Sequence, residues 1–378
     1  MKSLLRIGMI GRGFMGRAHS HAWHDLGMFF NHSIEMKTLC GVGDGVAQAA
    51  KQYGWQNSTE DWRQVIQDPD IHIVDICTPD HLHAEIAVAA ADAGKHVICE
   101  KPMSVDSAGA EAMLQGIREN NVKGMCNFVY RGLPALKLAR SLIQSGRIGK
   151  IYSFTGQYLQ DFALSPDCLF GWRMDQKRAG AGIIGDKGAH LIDMARYLAG
   201  EIVSVSARSA QLISHRRDDT GMLREVTTPD AAVFMAIFAN GALGMFQVSN
   251  MCAGRKNAML LEVNGSSGSI CFDLERLNEI RVHFEDDNDV PGFRTVNVTE
   301  KYHPHMSRWW PSGHSLGWEH GFIHQFAEFM DAVVNNTANE SNFLDGVLCQ
   351  HVVDAVALSD KRHEWVEVKS AFMSEVSV

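Results

Sequence analysis

Glycines at positions 11, 13 and 16, directly behind a short apolar run and ahead of a helical pattern, constrain this chain more than any other feature. Residues 5–10 read as a buried strand, Gly11-Arg12-Gly13-Phe14-Met15-Gly16 follows at once, and 14–26 carries a helical period. Glycines at this spacing allow a tight strand-to-helix turn and let a pyrophosphate approach the helix N-terminus. Alone, such a loop can also be a simple packing turn. The surroundings favour the binding role, because strand-like runs at 36–41, 71–77, 96–99 and 124–128 alternate with helical patterns at 47–53, 81–93 and 104–120. Ser104 is expected to cap the last helix, and Gly94 to close the one before it. Alternation of this kind predicts a doubly wound parallel sheet, a Rossmann dinucleotide-binding domain over 1–128.

From about residue 150 the period changes to two, with runs at 151–160, 202–210, 231–239, 242–250, 258–263, 269–272, 280–284 and 294–298. These predict a large, mostly antiparallel open sheet in an α+β domain over 129–378, for substrate binding and oligomerisation. Asn240-Gly241 suits a type I′ turn between two of the strands. A helix is expected at 189–198, with further helices at 318–334 and 345–358. Two domains agree with 378 residues, more than one core usually serves. With 46% hydrophobic and 21% charged residues the chain is expected to fold nearly end to end. A net charge of -9 offers nothing to nucleic acid or an anionic membrane, and no stretch approaches the length of a membrane span, so a cytoplasmic enzyme with a small-molecule partner is expected. Eight scattered cysteines without a Cys-x-x-Cys pair suggest neither disulfides nor zinc.

Thr78-Pro79-Asp80-His81-Leu82-His83 follows the third strand and Glu100-Lys101-Pro102 the fourth, at the edge where open α/β sheets bind ligands. Asp186 and His190 stand one helical turn apart, a spacing that fits a proton relay and equally a capping aspartate with a buried histidine. Asp193 extends that face and has Lys187 and Arg196 as candidate partners. With 18 histidines chance pairs are common, so neither His19, His21 and His24 on the first helix nor the pair His320 and His324 is expected to bind a metal.

Taken together, the glycine loop, Thr78 to His83, Ala93 to Val97 before Glu100-Lys101-Pro102, Asn127-Phe128-x-Tyr130-Arg131 and Asp186-x-Gly188-x-His190-x-x-Asp193 resemble the Gfo/Idh/MocA oxidoreductases over the whole chain. Within that family, Asn57 to Arg63, Tyr158 to Asp161, Trp172-Arg173 and Met194 to Leu198 resemble the branch of levoglucosan dehydrogenases and sugar 3-dehydrogenases, while Trp310 to His314 departs from it. The resemblance implies an NAD(P)-dependent dehydrogenase that oxidises a secondary hydroxyl of a sugar, anhydrosugar or cyclitol. It assigns catalysis to Lys101, Asp186 and His190: His190 as base, Asp186 holding its tautomer, Lys101 stabilising the alkoxide. Cofactor contacts are expected from Gly11, Gly13, Phe14, Met15, Gly16, Thr78, Pro79, His83, Glu100 and Lys101. Substrate contacts are expected from Lys101, Tyr130, Gln160, Trp172, Arg173, Asp186, His190 and His314. The second strand ends without an acid nearer than Asp44, and Arg12 is a lone basic residue beside it, so NAD is expected over NADP. Two other readings stay open, a non-catalytic sugar- or cofactor-sensing regulator and a dihydrodiol-type dehydrogenase. Retention of Lys101, Asp186 and His190 speaks against the first, and the polar Gln160 and Arg173 against the second. A homodimer or homotetramer is expected, paired through the second-domain sheet.

Overall fold

The computed structural model describes residues 4–287 and 291–369. The chain divides into two compact units, one running to Leu133 and taking in Gly317–Val347, the other comprising Pro134–Leu316 and the residues from Leu348 on.

The first unit opens with β1 (Leu5–Ile10), α1 (Phe14–Phe29), β2 (Ile34–Cys40), α2 (Val46–Tyr53), β3 (Asn57–Thr59) and α3 (Trp62–Gln67). It continues with β4 (Ile73–Ile76), α4 (His83–Asp92), β5 (His96–Glu100), α5 (Ser107–Glu119) and β6 (Gly124–Asn127). The strands form one parallel sheet in the order β3-β2-β1-β4-β5-β6. Ile7, Met9, Ile73, Val74, Ile76, Val97 and Ile98 are all buried, as strands covered by helices on both faces require. After β1 the chain adds strands on one side and then crosses to β4 on the other, so the strand order reverses between β1 and β4, and ligands of such sheets bind at that point. The edge strand β3, Asn-Ser-Thr, is polar and gave no apolar signal. Helix α5 corrects one expectation: its cap is Asp106, whose carboxylate accepts the Gly109 amide at 2.9 Å, while Ser104 is buried three residues before the helix begins. An ionised carboxylate is at least as good a partner for first-turn amides as a hydroxyl.

In the second unit α6 (Pro134–Gln144), β7 (Ile151–Leu159), α7 (Gln176–Ala179) and α8 (Ala189–Ala199) precede β8 (Ile202–Ala210), β9 (His215–Arg217), β10 (Leu223–Glu225) and β11 (Ala231–Phe238). Then come β12 (Leu243–Ser249), β13 (Ala258–Gly265), β14 (Gly268–Asp273), β15 (Glu279–Phe284) and β16 (Arg294–Asn297). Helix α9 (His320–Asn335) packs in the first unit, the boundary between units falls inside α10 (Phe343–Arg362), and β17 (Val366–Glu367) ends the series. Nine strands make one sheet in the order β16-β15-β14-β13-β7-β12-β11-β8-β17, antiparallel except where β7 and β12 run parallel. One face is a core: Phe234 and Phe246 stack at 4.3 Å, Phe154 lies 5.4 Å from Phe246, and Leu191, Ile192 and Met194 of α8 are buried. The hairpin at Asn240-Gly241 differs from the expected type I′ turn. Only Gly241 has positive φ, at 83°, and its amide bonds the Phe238 carbonyl across a three-residue connection. The Asn240 amide instead donates to the Ala199 carbonyl at 2.8 Å, which ties the hairpin to the end of α8 and removes the need for a second left-handed residue. Among the described residues no helix is long and apolar enough to cross a membrane.

Candidate active site

The glycine loop lies at the point where the strand order reverses. Gly11 has a φ of 122°, and a β-carbon there would collide with the Cys77 carbonyl; one at Gly16 would collide with the Gly11 carbonyl. Those two glycines let loop, helix and strand end meet closely. Gly13 is different, since a β-carbon on it would meet nothing within 4 Å. Gly13 is also the N-cap of α1, with no side-chain cap and no acidic residue in the first turn. The helix therefore presents its N-terminal amides and positive dipole end to an open space, the arrangement that receives a phosphate. Phe14 is 69% exposed and stacks on Trp318 at 5.7 Å with an interplanar angle of 9°, and Met15 is partly exposed beside it. Across the loop the Thr78 Oγ1 is buried with no hydrogen-bond partner among the described residues. An unsatisfied hydroxyl at a strand end fits a ligand group that supplies the missing bond. These features fit a bound dinucleotide held by residues 11–16 and Thr78.

His83, by contrast, is wholly buried at the start of α4. Its ring nitrogens lie 2.9 Å from the Thr78 carbonyl and 3.0 Å from the Pro102 carbonyl, and burial pushes its pKa down. The side chain clamps the two loops that carry Thr78-Pro79 and Lys101-Pro102 together. Direct contact with a cofactor, as expected from sequence, gives way to a supporting role because no part of the ring is exposed. Glu100 is likewise buried at the end of β5, with Oε1 bonded to His19 and Asn127 and Oε2 accepting the Lys101 amide at 3.2 Å. Lys101 itself is partly exposed, and the Lys101–Pro102 peptide is cis. Tyr130 is buried in the turn Val129–Gly132.

Within the second unit, the segment ahead of α8 winds as a π-helical turn over Ile184–Gly188. Asp186 has Lys187 Nζ 3.0 Å from one oxygen and Arg173 Nε 3.6 Å from the other. Lys187 thus bonds Asp186, and Arg196 of α8 bonds Glu201 at 2.8 Å. Lys187 is nearly buried, with its ammonium 5.6 Å from the Tyr158 ring centre and 5.3 Å from that of Phe162. Such faces stabilise a cation withdrawn from water. The His190 ring lies 5.7 Å from that of Tyr158, and the Tyr158 hydroxyl and Gln160 amide both donate to Asn257 Oδ1, at 2.9 and 2.6 Å. Arg173 stacks over Trp172 at 4.3 Å. Thus Tyr158, Gln160 and Asn257 form one polar group, and Trp172, Arg173, Asp186 and Lys187 another. His314 is exposed, with Nδ1 2.8 Å from the Pro311 carbonyl inside its own turn.

Sequence reasoning missed Lys187, Asn257 and Trp318 as parts of these groups. Asn257 had no signal of its own, and it meets Gln160 only because β13 pairs with β7. A metal was not expected, yet His19, Asp75 and Cys77 bring ligand-type atoms within 4.8 Å of one another. Their separations, 2.9 and 3.1 Å between His19 Nδ1 and the Asp75 oxygens, are those of hydrogen bonds.

With a dinucleotide cradle in one unit and an acid-histidine turn in the other, the chain has the parts of a dinucleotide-dependent oxidoreductase. Residues 5–128 match the oxidoreductase family with an NAD-binding Rossmann fold, and residues 136–271 match the GFO/IDH/MocA C-terminal domain. A levoglucosan dehydrogenase of Pseudarthrobacter phenanthrenivorans is 39% identical over 96% of this chain and 98% of its own. A levoglucosan dehydrogenase solved with NADH and levoglucosan is similar at 40% identity and a TM-score of 0.94, over 97% of this chain and all of the other. An oxidoreductase domain protein from Kribbella flavida is similar at 40% identity with a TM-score of 0.95, over the same shares. The chain belongs to the GFO/IDH/MocA oxidoreductase family.

Proposed function

We propose that this NAD-dependent oxidoreductase oxidises a secondary hydroxyl of a sugar, anhydrosugar or cyclitol to the ketone, with an anhydrosugar such as levoglucosan as its foremost substrate class. The observation that carries the reading is the end-to-end likeness, at 40% identity, to a levoglucosan dehydrogenase holding NADH and levoglucosan. The polar group of Tyr158, Gln160 and Asn257 and the Trp172-Arg173 stack supply the hydrogen-bonding edges and aromatic face that a polyhydroxylated ring needs. His190 takes the hydroxyl proton. Asp186, anionic between Lys187 and Arg173, orients the base and favours its charged form, and Lys101 donates to the oxygen as negative charge develops. Bound NAD would supply the hydride acceptor. The α1 N-terminus and Thr78 serve to hold it, and Glu100 and His83 to keep the Lys101 segment in place.

Cofactor choice is expected to fall to NAD. The Arg12 guanidinium already donates to the Val42 and Asp44 carbonyls, at 2.9 and 3.1 Å for Nη2, which leaves it a poor site for a 2′-phosphate. One assay tests both statements. Levoglucosan, inositols, glucosides and a dihydrodiol are each offered with NAD and with NADP, and reduction is followed by absorbance. Highest kcat/KM with a sugar-type substrate and NAD is expected. Turnover of the dihydrodiol alone, or none with a cofactor that binds, would favour the competing readings; a tenfold preference for NADP, ~1.4 kcal/mol, would overturn the cofactor choice.

We also propose a homodimer or homotetramer built on the outer face of the nine-stranded sheet. Val233, Met235 and Ile237 of β11 and Leu243 and Met245 of β12 alternate with core residues and stand 37% to 62% exposed. An apolar face of this kind marks an interaction surface. Light scattering should give a multiple of the chain mass, and Met245→Glu should reduce it; a monomeric native protein would refute the proposal.

A further inference from the structure

A closed ion cluster sits at the carboxyl edge of the six-stranded sheet, and of its members only Glu100 has been given a role so far. His19, on α1 just beyond the glycine loop, has no exposed surface. Its Nδ1 faces both oxygens of Asp75 on β4, at 2.9 and 3.1 Å, and its Nε2 lies 2.9 Å from Glu100 Oε1 at the end of β5. A neutral imidazole has one N–H and can satisfy one of these carboxylates; the imidazolium donates to both. Burial, the largest single influence, works against the charge, but the charges and hydrogen bonds of Asp75 and Cys77 together act for it, and the His19 pKa is raised well above its usual 6.5. Burial likewise disfavours ionised Glu100, yet the bond from His19 holds its carboxyl below the ordinary range.

Each side of the ring is accounted for. From β4 and its exit come Asp75, bonded also by Trp23 Nε1 at 2.7 Å, and the Cys77 thiol, 3.2 Å from Nδ1 and kept neutral by a pKa that burial pushes up to about 12. From β5 comes Glu100, with Lys101 next in the chain. Strand β6 contributes the Asn127 amide nitrogen, 2.5 Å from Glu100 Oε1 and 3.0 Å from His19 Nε2, and α9 contributes the rings of Phe322 and Phe326, at 5.2 and 5.1 Å. Since Glu100 Oε2 accepts the Lys101 backbone amide, a chain of bonds runs from α1 through His19 and Glu100 to Lys101.

We propose that His19, as an imidazolium bridging Asp75 and Glu100, is a positioning residue that ties the cofactor-binding helix to the Lys101 backbone and fixes where that lysine is presented. The inference rests on the reading of Lys101 as the group that stabilises the developing alkoxide. Without the bridging cation two buried carboxylates face each other, Glu100 turns away, and the Lys101 amide loses its acceptor.

The test compares His19→Gln, Glu100→Gln and Lys101→Ala, each checked for fold by circular dichroism and for NADH affinity by fluorescence titration. Folded His19→Gln should lose about 10- to 100-fold in kcat, the cost of misplacing a catalytic group by an ångström or less, with a much smaller change in KM. In Glu100→Gln the imidazolium keeps one carboxylate and releases its proton at lower pH than in the wild type. Its kcat should therefore fall as pH rises, an alkaline limb that begins at lower pH than any such loss in the wild type. If Lys101→Ala loses activity while folded His19→Gln stays within about threefold of the wild type, short of a tenfold 1.4 kcal/mol effect, the proposal fails and the Lys101 reading survives. A silent Lys101→Ala overturns the reading beneath it. Should His19→Gln not fold, Glu100→Gln decides, and a pH profile parallel to the wild type overturns the proposal.

Discussion

Replacing His190 by alanine is expected to lower kcat by about 100- to 10,000-fold, the usual contribution of a general base. The side chain is nearly buried and packs beside Tyr158 at the start of α8, so the truncation also costs packing, on the order of 1–3 kcal/mol. Stability and catalysis separate experimentally: thermal unfolding reports the first, and kcat measured well below the melting range reports the second. NADH titration should give an affinity close to the wild type, because the residues proposed to hold the dinucleotide lie around the glycine loop. A folded His190→Ala enzyme with more than a tenth of the wild-type kcat would mean that another group removes the proton. Asp186→Asn, which keeps the shape and removes the charge beside Lys187 and Arg173, should lower kcat less than loss of the base itself.

Gly13→Asp should abolish measurable NADH binding in a protein that folds at least as well as the wild type. Gly13 has φ -71° and ψ -159°, an extended geometry open to any residue, and a β-carbon there meets nothing within 4 Å. Aspartate is moreover a favoured N-cap, better than glycine by roughly a few tenths of a kcal/mol. The same carboxylate would take the first-turn amides that a pyrophosphate needs and set a negative charge against it. Two unit charges ~5 Å apart at an effective dielectric near 20 repel by roughly 3 kcal/mol, about 100-fold in Kd. Calorimetry would register this directly. Unchanged affinity in the folded variant would remove the glycine loop from the cofactor site.

The first unit was largely legible because its buried strands are continuous apolar runs separated by helical periods. The strand β3 escaped, since Asn57, Ser58 and Thr59 form an edge with no apolar face. Ser104 reads as a cap because hydroxyl and carboxylate caps look alike in sequence, and only the fold shows that Asp106 stands nearest the free amides. The second sheet was legible as alternating strands, but not the parallel pairing of β7 with β12, which joins strands far apart in the chain. Local spacing brought Asp186 and His190 to notice. It could not find Asn257 beside Gln160, nor the partners of His19, which come from 56 and 81 residues away. A parallel sheet gathers its chemistry from the ends of successive strands, which local spacing does not show.

Helix α9 covers α1, with Trp23 and Phe326 at 4.5 Å and the His19 ring between Phe322 and Phe326. The ribosome delivers α1 first and α9 about 300 residues later. At about 5–20 residues per second that interval lasts roughly 15 to 60 s. During it the nascent chain carries a dinucleotide-binding sheet whose aromatic flank has no cover, an exposed surface of the kind that chaperones bind. Vectorial synthesis therefore cannot finish the first unit before most of the second has been made, and a fragment ending at residue 133 would keep that flank open to solvent.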